Sequence, residues 1–252
     1  MLSFATPEPI TATLITGGAV VLVAASERPD TVVRVEPVDE DSKSDVKVAE
    51  RTKVDFADGE LTVRTTKPGS VAITVELPVG SALVLRAAAS DVHADGVFGV
   101  CELNVASGQV RLDRVAALRG SVSAGSVAIG HVRGPVTLEG GAADVRIGEA
   151  EGAVEYRGSN GSFDIDRAGG SVTAKAADCP IRIGRMTRGH ADLANASGGI
   201  EIGIGEHTAA EVDADSTKGL VRNWLHGNPD GDHLTVHART RLDDIVIHRA
   251  AA

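Results

Sequence analysis

A triplet of one apolar residue, any residue and a second apolar residue recurs every nine residues through much of this chain. No other feature restricts the fold as strongly. The first apolar positions run Leu83, Val92, Cys101, Val110, then Val127, Val136, Val145, Val154, Phe163, Val172 and Ile181, and continue less evenly through Ala191, Ile200, Val212 and Val221. Each triplet alternates with period two, which is the pattern of a short strand with one buried face. Glycines such as Gly130, Gly134, Gly148, Gly152, Gly169, Gly170 and Gly184 separate the triplets, where corners need residues that bend easily. The same glycines and the period exclude helices here.

Alternate triplets resemble each other more than neighbours do, as Val145-Arg146-Ile147-Gly148 and Ile181-Arg182-Ile183-Gly184 show. The structural unit is therefore about eighteen residues, two strands and two corners, stacked at about 4.8 Å per unit. The predicted fold is all-β, a β-solenoid of two-strand coils in which Val145, Phe163, Ile181 and Ile200 form one stacked column. A hexapeptide helix would place Gly148 at an inward position and skip Val145, and the Gly-Gly-x-Gly-x-Asp run of calcium-binding nonapeptide repeats is missing. With aromatics at only 2% of residues, the core must be built from Val, Ile, Leu and Ala in thin layers, which suits this architecture.

One domain is expected over 1–252, with a β-rich cap or first coils over 1–80, regular coils over 81–225 and capping strands over 226–252. Asp58-Gly59 between alternating runs predicts a hairpin, and the polar stretch from Ser42 to Glu50 fits a loop or a single helical turn. Trp224 is expected to cover the last coil.

The chain resembles the DUF4097 family of adhesin-like β-strand repeat proteins, especially its actinobacterial members. The likeness is carried by Phe4-Ala5-Thr6-Pro7 with Pro9-Ile10, Asp45-Val46-Lys47, Phe56-Ala57-Asp58-Gly59, the Val/Ile-x-Ile-Gly segments, and His237-Ala238-Arg239-Thr240 with Asp244-Ile245-Val246-Ile247. This chain has Asp243 where family members have a glycine. The resemblance implies a β-solenoid without an assigned biochemical role.

The formal net charge of -10 disfavours nucleic acid and anionic lipid as partners. The first basic residue is Arg28, so the start lacks the charged region of a secretory signal, and no apolar run is long enough to span a bilayer as a helix. A cytoplasmic location is expected on these grounds. Cys101 and Cys179 are too few for a disulfide framework and are expected as two free, buried thiols.

The eight histidines, including His226, His233, His237 and His248, come without the Cys or Glu-x-x-His context of a zinc site and are read as exposed strand residues. Asn228-Pro229-Asp230-Gly231-Asp232 is read as a turn rather than a calcium loop. No catalytic residue, cofactor or metal is predicted, because short corners leave no cleft and no Gly-x-Ser-x-Gly elbow occurs.

The middle residues of the triplets face outward. One row, Arg146, Asp164, Arg182, Glu201 and Arg222, alternates in sign and is expected to satisfy itself. The other row, Glu102, Glu155, Asp192 and Asp213, is acidic, is expected to lack basic neighbours, and is predicted as the docking face for a basic protein partner. The expected function is a non-enzymatic interaction scaffold. The alternative is an envelope or stress-associated adhesin-like binding protein.

Overall fold

The computed structural model describes residues 1–65, 70–227 and 231–250. Among the described residues the chain is mostly β with one short helix, and its strands pair mainly in parallel. It divides into two compact units, Met1–Ser126 and Val127–Ala252.

The first unit carries β1 (Leu2–Ala5), β2 (Thr11–Gly17), β3 (Ala19–Ser26), β4 (Asp30–Pro37), α1 (Lys43–Arg51), β5 (Lys53–Ala57), β6 (Glu60–Arg64), β7 (Val71–Pro78), β8 (Ala82–Ala88), β9 (Asp91–Val105) and most of β10 (Gln109–Val132). Its parallel layers place Leu61, Ala12, Leu83, Cys101 and Leu118 in one register column, and every member is buried. A second column runs Ile73, Val21, Val92, Val110, also buried throughout. The alternating pattern of β3, buried and exposed by turns, is what a strand with one face in such a column requires.

Leu118 breaks the nine-residue count. The pairing of β10 with β9 shifts between Leu112 and Arg114, so this layer is one residue shorter than its neighbours. Antiparallel strands close the other side of the unit: β1 on β4, β4 on β7 and β5 on β6. The β5–β6 turn uses Asp58 and Gly59 with φ of 50° and 75°, the left-handed pair that a two-residue hairpin needs. Residues 43–51 form a helix of nine residues rather than a loop or one turn; Ser42 accepts from the Asp45 amide, and Val48 is buried.

The second unit carries β11 (Val136–Ala150), β12 (Val154–Ala168), β13 (Val172–Lys175), β14 (Ile181–Met186), β15 (Gly189–Ala194), β16 (Ile200–Ile204), β17 (Ala209–Ser216), β18 (Val221–Asn223), β19 (His233–Thr240) and β20 (Ile245–Arg249). Strand β12 lies on β11 at an offset of eighteen residues, as in Val136↔Val154 and Val145↔Phe163. The column continues Phe163↔Ile181↔Ile200, so the four residues expected to share a column do so. All four are buried.

Beyond Ile200 the order changes. Strands β19 and β20 pair with β15 and β16 on one side and with β17 and β18 on the other. The strands expected to cap the end therefore fill the second layer from it, and β17–β18 form the outermost one. The first unit does the same at its start, with β2–β3 held between β6–β7 and β8–β9. A strand paired on both edges satisfies its whole main chain, and β19 and β20 achieve this by lying between two layers that precede them in the sequence.

Candidate functional site

In the second unit the outward acidic row is real but mixed. Its register order is Glu155, Thr173, Asp192, His237, Asp213. His237 stands between the two aspartates, because β19 occupies the layer that the order of the sequence gives to β17. Glu102 belongs to the first unit, where Arg119 is its register neighbour.

Each of the four acids holds a cation. Arg119 Nη2 lies 2.7 Å from Glu102, Arg157 Nη2 3.1 Å from Glu155, and Lys175 Nζ 3.1 Å from Asp192. Asp213 accepts from Arg239, which holds its carboxyl below the usual aspartate value, with a further contribution from His237. The expectation that this row lacks basic neighbours is corrected. Arg157, Lys175 and Arg239 flank the middle positions on the same strand or the next layer, and Arg119 is a middle residue displaced from the nine-residue count by the register shift between Leu112 and Arg114. These pairs are exposed and contribute little to stability.

The alternating row is in register as Arg146, Asp164, Arg182, Glu201, after which Val246 separates Glu201 from Arg222. Its ion pairs are mostly diagonal. Arg146 Nη2 meets Asp166 at 3.0 Å, Arg182 reaches Asp166 at 3.7 Å and Glu201 at 3.9 Å, and His248 Nε2 meets Glu201 at 3.0 Å. Asp164 has its pKa raised by burial, opposed by Arg182 and Arg146.

A groove of about 710 Å³ runs along this row. Its charged walls are Asp164, Arg182, Glu201, Lys218, Arg222, Asp243 and Asp244, and Leu220 and Leu242 give it two apolar patches that face solvent. Asp243 and Asp244 also hold the corners that shape it: the Gly198 amide donates to Asp243 at 2.7 Å and the Leu220 amide donates to Asp244 at 2.8 Å. Asp243 thus does work that a glycine could not do. The sequence carried one signal of this groove, since in Leu220-Val221 two adjacent apolar residues cannot both face inward on a strand.

The outermost layer ends in apolar surface. Leu220, Val221 and Trp224 are 60%, 42% and 56% exposed. Trp224 does not cover this layer; its amide donates to Ile247 at the end of β18 while more than half of the residue stays exposed.

The two thiols are free and buried, as expected. Burial pushes Cys101 up to about 12 and Cys179 up to about 11, so neither supplies a thiolate at neutral pH. Tyr156 stacks on Phe163 with ring centroids 4.2 Å apart, and its buried hydroxyl fills the space that a Cβ at Gly140 or Gly158 would need. Among the described residues no three His, Cys, Asp or Glu are grouped to hold a metal, and no helix is long and apolar enough to cross a membrane. Residues 228–230 of the turn considered as a calcium loop lie outside the described residues.

No protein-family model and no curated protein matches the chain. Solved structures do. The crystal structure of a putative adhesin from Parabacteroides distasonis matches with a TM-score of 0.51 at 12% identity, covering 98% of this chain and 95% of that one. Structures of putative adhesins from Parabacteroides merdae and Bacteroides fragilis match with TM-scores of 0.48 and 0.47 at 12% and 13% identity, each covering 98% of this chain and 94% and 95% of the other. The P. distasonis match shows likeness of fold.

Proposed function

We propose that this chain is a β-solenoid of the DUF4097 type and serves in the cytoplasm as a non-enzymatic scaffold for a protein partner. The fold proposal is supported by parallel layers at offsets near eighteen residues with like residues in buried columns. The observation that carries the functional one is the groove of the second unit, where leucines exposed to solvent lie between charged walls of both signs. Apolar patches rimmed by charge suit a protein surface better than a small metabolite, and the groove is open rather than enclosing. The row Glu102, Glu155, Asp192 and Asp213 is the weaker docking face, because a partner's cations would compete with those already there.

A second reading, an adhesin-like protein of the envelope, is favoured by the fold shared with the P. distasonis protein. Fractionation of native cells separates the two readings by the compartment that holds the chain.

The docking face is tested by capture from native lysate with two double variants of unchanged melting temperature. Arg182→Glu with Arg222→Glu should lose the partner, and Glu155→Lys with Asp192→Lys should keep it, with capture weakening as salt rises. The opposite result would make the acidic row the docking face. A partner that both variants retain equally would remove both surfaces from consideration.

A further inference from the structure

The first unit carries an apolar patch on the outer face of its sheet. Val20 and Leu22 of β3 are 46% and 50% exposed, while Ala19, Val21 and Val23, of the other phase, are buried. Strand pairing sets the neighbours of the two residues in adjacent rows across the layers. One row runs Arg34, Thr74, Leu22, His93, Arg111, and the other runs Glu36, Ala72, Val20, Asp91. The first row therefore ends in a cation on each side and the second in an acid on each side, with Leu22 and Val20 between them.

These ends are not spent within the chain. Arg34, Glu36 and Arg111 are exposed and enter no ion pair among the described residues. One oxygen of Asp91 accepts from the Gln109 amide at 3.1 Å, which leaves the other for a cation. His93 already holds Asp95 at 2.9 Å and carries no weight here. Beside Val20 and Leu22 lies a depression of about 240 Å³, bounded by Asp91, His93, Gln109 and Arg111.

We propose that this face is a two-fold interface with a second copy of the chain, the axis lying in the plane of contact along the direction in which the layers stack. Such a rotation sets each layer opposite the same layer of the second copy and exchanges the two rows. Leu22 then meets Val20 of the second copy, and Arg34 meets its Glu36, each contact occurring twice. The other axis in that plane, along the strands, reverses the order of layers and sets Arg34 against Arg111, which like charge opposes. The order of charges thus selects both the occupant and its orientation.

The patch spans five strands. Five strands by about five residues is roughly 24 by 17 Å, so the pair would bury about 800 Å² in total, the lower limit for a specific contact. A weak dimer is therefore expected. The proposal goes beyond the scaffold reading and shares no residue with the groove of the second unit.

The test is sedimentation equilibrium of the full chain from micromolar to millimolar concentration. The parent should pass from monomer to dimer within this range, and Leu22→Asp, at an exposed site, should melt near the parent and stay monomeric. Arg34→Glu and Glu36→Arg each set like charges opposite one another in two places and should each weaken self-association at least tenfold. Mixed in equal amounts, these two variants should associate about as tightly as the parent, because both contacts again join opposite charges. Arg182→Glu with Arg222→Glu should dimerise as the parent does, which separates failure here from failure at the groove.

A parent that stays monomeric to millimolar concentration would overturn the proposal, as would a dimer that Leu22→Asp leaves intact. A parent dimer whose two charge variants fail to restore each other would assign another axis or another face and overturn it too. So would a monomeric parent that captures a different protein which Leu22→Asp loses, since the face would then belong to that protein.

Discussion

Truncating Ile181 to alanine and Val221 to alanine probes the same column at two depths. Ile181 is 1% exposed and lies between Phe163 and Ile200, so Ile181→Ala removes three buried carbons at ~0.8 kcal/mol each and leaves a cavity that brings the cost to about 3–4 kcal/mol. Val221 is 42% exposed and has a neighbour, Ile245, on one side only. Val221→Ala removes two carbons a little over half buried and leaves no closed cavity, so it should cost about 1 kcal/mol. The assay is urea denaturation followed by circular dichroism, with equal slopes in all variants so that midpoints report stability. Arg182→Ala, one residue along and outward-facing, is the control and should stay within about 0.5 kcal/mol of the parent. If both apolar truncations cost the same, or if Ile181→Ala matches the control, the column does not exist as described.

Gly161 has φ of +98° and its missing Cβ would sit 2.1 Å from the Ala143 carbonyl oxygen, so Gly161→Ala should destabilise by about 3 kcal/mol or more, read from the same denaturation curves. Cys101 and Cys179 should give no rapid reaction with a thiol reagent in the native chain at pH 7.5 and two equivalents in denaturant; fast native reaction would contradict their burial. Asp213 is held below its ordinary pKa by Arg239, so its contribution to stability is present above the unfolded aspartate value and lost as pH falls through the lower folded value. Arg239→Ala should raise the Asp213 midpoint in a carboxyl NMR titration, and an unmoved midpoint would place the cause elsewhere.

The alternation of side chains made the inward faces legible from the sequence, and doubling the nine-residue spacing to eighteen identified partners one layer apart, such as Val145 and Phe163. Spacing lost track where the layer length changed: the bulge near Asp113 moves Leu118, rather than the next residue in the count, onto Cys101. It failed altogether at the end of the second unit. Alternation says which face of β19 is buried, but it carries no information on which strands flank it. For that reason His237 between Asp192 and Asp213 was invisible, whereas Arg157 and Lys175 were passed over because they flank the middle positions. The helix 43–51 was illegible for another reason, since a polar stretch of nine residues with a single buried valine carries too little apolar surface to be told from a loop, even with the Ser42 cap.

The order of layers in the second unit has a consequence for synthesis. Strands β17 and β18 leave the ribosome before β19 and β20, yet their native neighbours are the later pair. Val212 has the same inward phase as Val236, so a nascent chain lacking residues 233–249 could dock β17 directly on β15 with apolar side chains correctly aligned. A nascent chain that makes this contact must undo it before residues 233–249 can enter, a step that would come late because it waits for those residues to be made. A chain cut short before residue 233 would settle into a shorter stack with an intact core and a false end.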